Sequence, residues 1–322
     1  MLRLAVLAFA LAQAVAPMTP SAPPPREIAP GTTLIAGAIL PDRGPDGNTV
    51  VLDAPDGLVV VDTGRHAWHS EAILALARAR RRPIAVIVNT HWHLDHSSGN
   101  GRLKAAHPGA RVFTSPAVDG ALGPDGFLTR NLAAARSRPA EAVATRREET
   151  EIFLRTMETP DTLRPDVALD RSGEHRLAGR PLAVHVTAGA VTAADVWLYD
   201  AATRVAVLGD LVTLPAPFFE TACPARWEAE LDAVWATPFT LAVPGHGAPM
   251  TRGQFDTYRR AFTAFRRCSG GDGDAAACAA AWTRDVDGLM NDAERAQATA
   301  YAAYYVGFLR KGGGASPDCA AK

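Results

Sequence analysis

Lysine is almost missing from this chain, present only at Lys104, Lys311 and Lys322, and the formal net charge is −1. Nucleic acid binding needs a basic stripe, and none is available. The sole basic cluster is the arginines at 78, 80, 81 and 82, at the end of a predicted helix, where cations offset the helix dipole. No repeat at a solenoid period is present. Cysteine is sparse too: Cys223, Cys268, Cys278 and Cys319 include no Cys-x-x-Cys. None lies near a histidine cluster, so a thiolate metal site is not expected. The apolar run at residues 4–12 is too short to span a bilayer, and no stable membrane insertion is expected.

What the chain does have is size and apolar content. At 322 residues and 48% hydrophobic it can bury a large core. A single Arg, the apolar run and small-x-small triplets at 12–14 and 14–16 read as a secretory signal peptide over 1–16, the first triplet being the preferred cleavage site. Prolines from 17 to 30 predict an extended linker. The protein is therefore expected to be exported, periplasmic or secreted. An even cysteine number suits that compartment. The preferred pairing is Cys268–Cys278, which brackets a Gly-Gly-Asp-Gly turn, with Cys223–Cys319; free buried thiols are the alternative.

Strand and helix signals alternate from residue 31 on. Strands are predicted at 32–36, 49–53, 58–62, 84–88, 111–114, 182–186, 195–200, 205–210 and 241–244, with helices at 70–80 and 101–106. Residues 127–158 are Arg- and Glu-rich and helix-favouring, and predict a helical insertion. The segment 253–322 predicts a helical C-terminal extension. There Phe255, Tyr258, Phe262 and Phe265 recur at helical spacing, as do Tyr301, Tyr304, Tyr305, Phe308 and Leu309. Both aromatic stripes are expected in the core.

The chemistry concentrates in NTHWHLDHSSGN, residues 89–100, where three of the nine histidines fall. The His-x-His pair, His91 and His93, puts two imidazoles on one side of an extended segment. Asp95 and His96 follow where the chain turns, and can face a second ion. Neutral imidazole and carboxylate suit zinc best and leave iron or manganese open. Of the remaining histidines, His66 and His69 are expected in an exposed loop or at a helix start, and His107 and His175 in exposed polar loops. Trp92 is expected to pack the metal loop. Ser97 could bind substrate or cap the next helix.

This stretch resembles the signature of the metallo-β-lactamase superfamily, and further features follow in that family's order over residues 31–252. The resemblance implies an α/β (α+β) fold, a four-layer αβ/βα sandwich of two sheets flanked by helices. Val-Asp-Thr-Gly at 61–64 resembles the strand-end segment whose carboxylate, here Asp62, supports the metal loop. Leu-Gly-Asp-Leu at 208–211 resembles the segment carrying the metal-bridging carboxylate, Asp210. Pro-Gly-His-Gly at 244–247 resembles the segment that supplies the last histidine, His246. One element departs. Where the family has a Gly-His-Thr-x-Gly-Asp-like segment, this chain has GAVTAAD at 189–195, so Val191 stands in the place of the histidine. His185 is six residues upstream and is expected to be a strand histidine.

The departure divides the expected metal centre. One site retains Asp95, His96, Asp210 and His246, and is expected to hold one zinc tightly. The other retains His91 and His93 and is expected to be weak or empty. The implied function is a zinc-dependent hydrolase of small molecules, with metal-activated water attacking an ester, lactone, amide or similar bond. Asp95, His91 and His93 are the candidate catalytic groups. Phe218 and Phe219, just after Asp210, are expected to wall the substrate pocket. The alternatives are a catalytically impaired metal-binding accessory protein, a β-lactamase proper, and oxidoreduction at a non-haem iron. The β-lactamase is disfavoured by the missing histidine and by the lack of a Cys near Asp210.

Overall fold

The computed structural model describes residues 23–39, 44–137, 144–312 and 316. The expected signal peptide and Cys319 lie outside them. Seven strands form the first sheet in sequential order: β1 (Arg26–Ala29), β2 (Thr32–Ile35), β3 (Thr49–Ala54), β4 (Gly57–Val61), β5 (Ile84–Val88), β6 (Arg111–Thr114) and β7 (Val167–Ala168). The pairing is antiparallel from β1 to β4 and parallel from β4 to β7. The segment expected to be a linker thus ends in a strand. Residues 26–29 pair with β2 through a tight turn in which Gly31 takes a positive φ of 63°. The second sheet holds β8 (Gly173–Leu177), β9 (Arg180–Val186), β10 (Val196–Asp200), β11 (Val205–Thr213), β12 (Leu241–His246) and β13 (Met250–Thr251), in reverse order across the sheet.

Ten α-helices complete the described residues: α1 (Ala67–Arg80), α2 (Leu94–Ser97), α3 (Asn100–Ala106), α4 (Ala117–Leu122), α5 (Phe127–Arg136), α6 (Ala144–Glu158), α7 (Pro224–Ala236), α8 (Arg252–Ser269), α9 (Ala275–Asp285) and α10 (Asp292–Lys311). The layering follows from the pleat, because successive side chains leave a strand on opposite faces. Val50 and Leu52 of β3, and Val59 and Val61 of β4, point into the core between the sheets. Val51, Leu58 and Val60 point outward, onto Ile73, Leu74, Ala77 and Leu103 of α1 and α3. Strands buried on both faces read as unbroken apolar runs, as in β4 and β5.

The outer face of the second sheet carries α7 to α10. Phe255, Tyr258, Phe262 and Phe265 of α8 join Trp197, Leu208 and Trp227 in one core. The C-terminal helices are therefore a structural layer of the sandwich. The stripe on α10 divides: Tyr305 and Leu309 are buried as expected, whereas Tyr301 and Tyr304 are 42% and 54% exposed. A disulfide joins Cys268 to Cys278 and ties α8 to α9. Cys223 is not free, and its expected partner lies outside the described residues. No described helix is long and apolar enough to cross a membrane.

Candidate metal centre

β4 and β5 run parallel, as do β11 and β12. Their carboxyl ends meet at one edge of the sandwich, where backbone and loop groups are free of ladder bonds. Asp62 follows β4, in the left-handed region with φ 61°. Its Oδ1 accepts from Thr90 N at 2.8 Å, and its Oδ2 faces Thr90 Oγ1 and His96 Nδ1, both at 2.8 Å. The carboxylate so holds the histidine loop at its start and at its end. With Nδ1 engaged, His96 presents Nε2 to the centre.

His96 Nε2 lies 3.1 Å from Asp210 Oδ1, 3.7 Å from Asp95 Oδ2 and 3.2 Å from His246 Nε2. His246 Nε2 lies 3.0 Å from Asp95 Oδ2 and 3.5 Å from Asp210 Oδ1. Ligands held at about 2.0–2.2 Å from one zinc ion sit roughly 3.3–3.5 Å from each other, so these spacings suit a shared ion. Among the described residues, two sets converge as potential ligands, His91/His96/Asp210 and Asp95/His96/His246. Asp210 Oδ1 is buried without a hydrogen-bond partner, a costly arrangement that an ion would relieve, and His91 Nε2 beside it is likewise unpaired. The residues present fit a metal.

Charge points the same way. Burial pulls His96 down, yet the carboxylates of Asp210, Asp62 and Asp95 hold its pKa well above the usual imidazole value. His246 is raised against burial by Asp210 and Asp95. Both of those carboxylates are in turn held below their ordinary range by the facing imidazoles, although burial opposes it. A centre of three carboxylates calls for a cation. His91 and His93 behave differently: burial lowers both, His93 to about 4, and leaves them neutral bases at pH 7.

The tight geometry depends on two glycines. A Cβ on Gly245 would lie 2.0 Å from Asp210 Oδ1, and one on Gly47 would lie 2.3 Å from His96 Cε1. Asn48 fastens the His246 turn, donating from Nδ2 to Pro244 O and Gly247 O at 2.9 Å each.

The metallo-beta-lactamase superfamily profile matches residues 42–250. The chain belongs to this superfamily. It shares 42% identity over 50 residues with a linear primary-alkylsulfatase of Pseudomonas sp.; that match covers 15% of this chain and spans only 10% of the relative. A metallo-beta-lactamase from Pontibacter korlensis superposes with a TM-score of 0.52 at 21% identity, over 72% of this chain and 94% of its own. The stereoselective inverting sec-alkylsulfatase of Pseudomonas sp. gives a TM-score of 0.57 at 18% identity, over 88% of this chain and half of its own. At these identities the structures share the fold.

Within the metallo-β-lactamase fold, Val191, expected to stand in the place of a histidine, is closed off. Val191 is 1% exposed and packs into the core beside α7 and α8. Its loop is pinned by Asp195, whose carboxylate accepts from Val191 N, Thr192 N and Thr192 Oγ1 at 3.0, 3.1 and 2.8 Å. His185 does not compensate. It pairs across the sheet with Trp197 and stacks on it, with centroids 3.7 Å apart, on the face turned toward the helices. His93, expected as a ligand, stands outside both ligand sets; its Nε2 hydrogen-bonds Thr221 Oγ1 at 2.9 Å. Its Nδ1 makes no hydrogen bond among the described residues.

Several other expectations need correction. His66 and His69 do stand at a helix start, that of α1, but are wholly buried there, not exposed. Asp46 accepts from His66 Nδ1 at 2.6 Å and from the backbone of His66 at 2.9 Å, and His69 Nε2 meets Thr49 Oγ1 at 2.8 Å. His175 lies in β8 and is half-buried. Ser97 is buried and donates to the carbonyls of Trp92 and His93, so it braces the loop. Phe219 is fully buried among Trp227, Phe262 and Phe265 and walls nothing. Phe218 does reach the site, edge-on to the His93 ring at 5.0 Å.

Above the ligands opens a cleft of about 620 Å³. Trp92, Phe127, Leu128, Ile152 and Phe153 form one wall, Phe218, Tyr301 and Tyr305 the other, and His93, Asp95, Asp210 and His246 lie within it. The insertion, α5 and α6, thus supplies an apolar side to a polar floor. Arginine 65 also borders the cleft. Sequence reasoning passed over Asp46, Asn48, Arg65 and Thr221; the carboxyl end of β4 was the signal for looking near 65, and no local signal marked the others.

Proposed function

We propose that this protein is an exported, zinc-dependent hydrolase that cleaves an ester carrying an apolar body. The observation that carries the reading is the shared use of His96. Its Nδ1 is committed to Asp62, so a single lone pair, on Nε2, serves both candidate ligand sets. One nitrogen binds one ion, and the set around it, Asp95, His96, Asp210 and His246, would hold that ion. When bound, zinc lowers the pKa of water towards neutrality and polarises the oxygen of the scissile bond.

The protein's own groups do the rest. Asp62 keeps His96 in the tautomer that faces the centre. Asp95 and Asp210 supply negative charge 3.0 and 3.5 Å from His246 Nε2. His93, neutral and with Nε2 held by Thr221, offers Nδ1 as proton acceptor for the attacking water; His91, with Nε2 unpaired, is the second such base. The aromatic walls hold the apolar part of the substrate and keep bulk water from the polar floor. The alkylsulfatase likeness supports an ester with an alkyl chain as that substrate.

The test is direct. Zinc-reconstituted protein is expected to bind one ion per chain tightly and to hydrolyse a chromogenic panel of long-chain carboxylate, sulfate and phosphate esters. His246→Ala is expected to lose both metal and turnover. Full metal content and activity in that variant would overturn the assignment.

A further inference from the structure

We infer that Arg65 is an anion anchor, and that the substrate carries a negative charge close to the bond that is cleaved. The inference rests on the hydrolase reading and names the chemistry of its substrate. Among the described residues, Arg65 is the sole lysine or arginine lining the cleft, against Asp95, Glu149 and Asp210. It follows the Val-Asp-Thr-Gly turn, so its place is set by the same strand end that carries Asp62.

The backbone of Arg65 is gripped on both sides. Its N–H donates to Asp46 Oδ1 at 2.5 Å, and its carbonyl accepts from Arg102 Nη1 at 3.3 Å. Asp46 is itself locked by the buried His66. The side chain, in contrast, is unspent. A guanidinium has five N–H donors in a planar fork. None of them makes a hydrogen bond among the described residues, and Nε is buried without a partner. Among the described residues, its one charged neighbour within ion-pair distance is Asp95, with Nη2 3.8 Å from Oδ1, too far for a hydrogen bond. The side chain is 20% exposed.

That single contact fixes where the anion would sit. Asp95 turns Oδ2 to His246 and Oδ1 to Arg65, so the fork lies one carboxylate away from the proposed ion. A group bound there touches the reacting centre rather than the far end of the cleft. The room is made by Gly44, where a Cβ would meet Arg65 Nη1 at 2.3 Å. The same Cβ would meet Glu149 Oε1 of α6 at 2.5 Å, yet no ion pair joins Glu149 to Arg65 among the described residues. A planar fork with free donors recognises a sulfate or carboxylate in bidentate fashion. The apolar walls take the remainder, which makes the substrate an anionic amphiphile.

Binding of inert probes tests this without relying on turnover. Zinc-loaded wild type, Arg65→Gln and Arg65→Lys would be titrated calorimetrically with 1-decanesulfonate, decanoate and neutral 1-decanol, with circular dichroism, melting temperature and zinc content measured alongside. Wild type is expected to bind an anion more tightly than decanol. Arg65→Gln is expected to weaken the anion about ten- to a hundredfold, the range of charge-assisted hydrogen bonds, and leave decanol unchanged. Arg65→Lys, which keeps the charge without the fork, is expected to fall between. Preference for the sulfonate assigns sulfate esters, and preference for decanoate assigns carboxylates. Equal affinity of wild type for anions and decanol, or an anion affinity within threefold of wild type in Arg65→Gln, would overturn the inference. If Arg65→Gln does not fold, the Arg65→Lys comparison decides by the same threefold limit. Anion binding through Arg65 without hydrolysis of any ester would instead refute the hydrolase reading alone.

Discussion

His93 Nε2 lies 2.9 Å from Thr221 Oγ1, a hydrogen bond that spans 128 residues of chain. The threonine hydroxyl donates to Val191 O at 2.8 Å, so its lone pair receives the proton on Nε2. The tautomer of His93 is thereby set by the loop that carries Val191. Thr221→Val is expected to leave zinc content unchanged and reduce kcat at least tenfold, with Thr221→Ser close to wild type. Metal analysis and steady-state kinetics on the same preparations check it; an unchanged kcat would remove His93 from the mechanism.

An imidazole at position 191 should change metal stoichiometry. Val191→His, with its ring turned from the core towards His91 and His93, is expected to raise tightly bound zinc from one ion per chain towards two. Elemental analysis of wild type and variant after identical dialysis measures it. Two tightly held ions in the wild type would show that the His91/His93 site is complete without residue 191.

The buried Asp46–His66 pair predicts an acid-sensitive contribution to stability. The His66 hydrogen bond and the charges of His69 and His66 hold the Asp46 pKa below its ordinary value of 3.8, against the effect of burial. A carboxylate with a depressed folded-state pKa stabilises above its unfolded value and loses that contribution as pH falls through the folded one. Asp46→Asn is expected to cost about 1.5–3 kcal/mol at neutral pH. The gap between the two proteins should narrow below pH 3.8, as read from denaturant melts at several pH values. A gap that stays constant with pH would mean the pair does not titrate as argued.

Chain-length dependence probes the apolar wall. Phe153 of α6 lines the cleft and packs with Trp92, Leu128 and Leu163. Phe153→Ala is expected to raise KM for a long-chain ester roughly tenfold, from lost apolar burial, and to spare a short-chain ester. Equal effects on both esters would place the substrate chain elsewhere.

What could be read from the sequence follows a physical division. Individual elements such as β4, β5 and α8 were legible from their apolar runs and aromatic stripe, whereas the four-layer sandwich came from the resemblance to the superfamily. His91, Asp95 and His96 were legible from their density in one loop after a predicted strand, and Asp62, Asp210 and His246 from the resemblance to the superfamily. The loop-to-loop ties were not, since they join distant segments: Asn48 reaches Pro244 across 196 residues. Nothing near His66 and His69 announces that Asp46 will lie opposite them, so two buried histidines resembled exposed ones. Phe218 and Phe219 are adjacent in sequence, yet one faces the cleft and the other the core. No strand or helix periodicity assigns them a face.

The ligands also record an order of events. His91, Asp95 and His96 come from the first sheet, Asp210 and His246 from the second, and neither group alone surrounds an ion. A nascent chain cannot assemble the centre before residue 246 has been made and the two sheets have stacked. An ion held there would join groups from both sheets, so its binding energy would act on the closure of one sheet over the other.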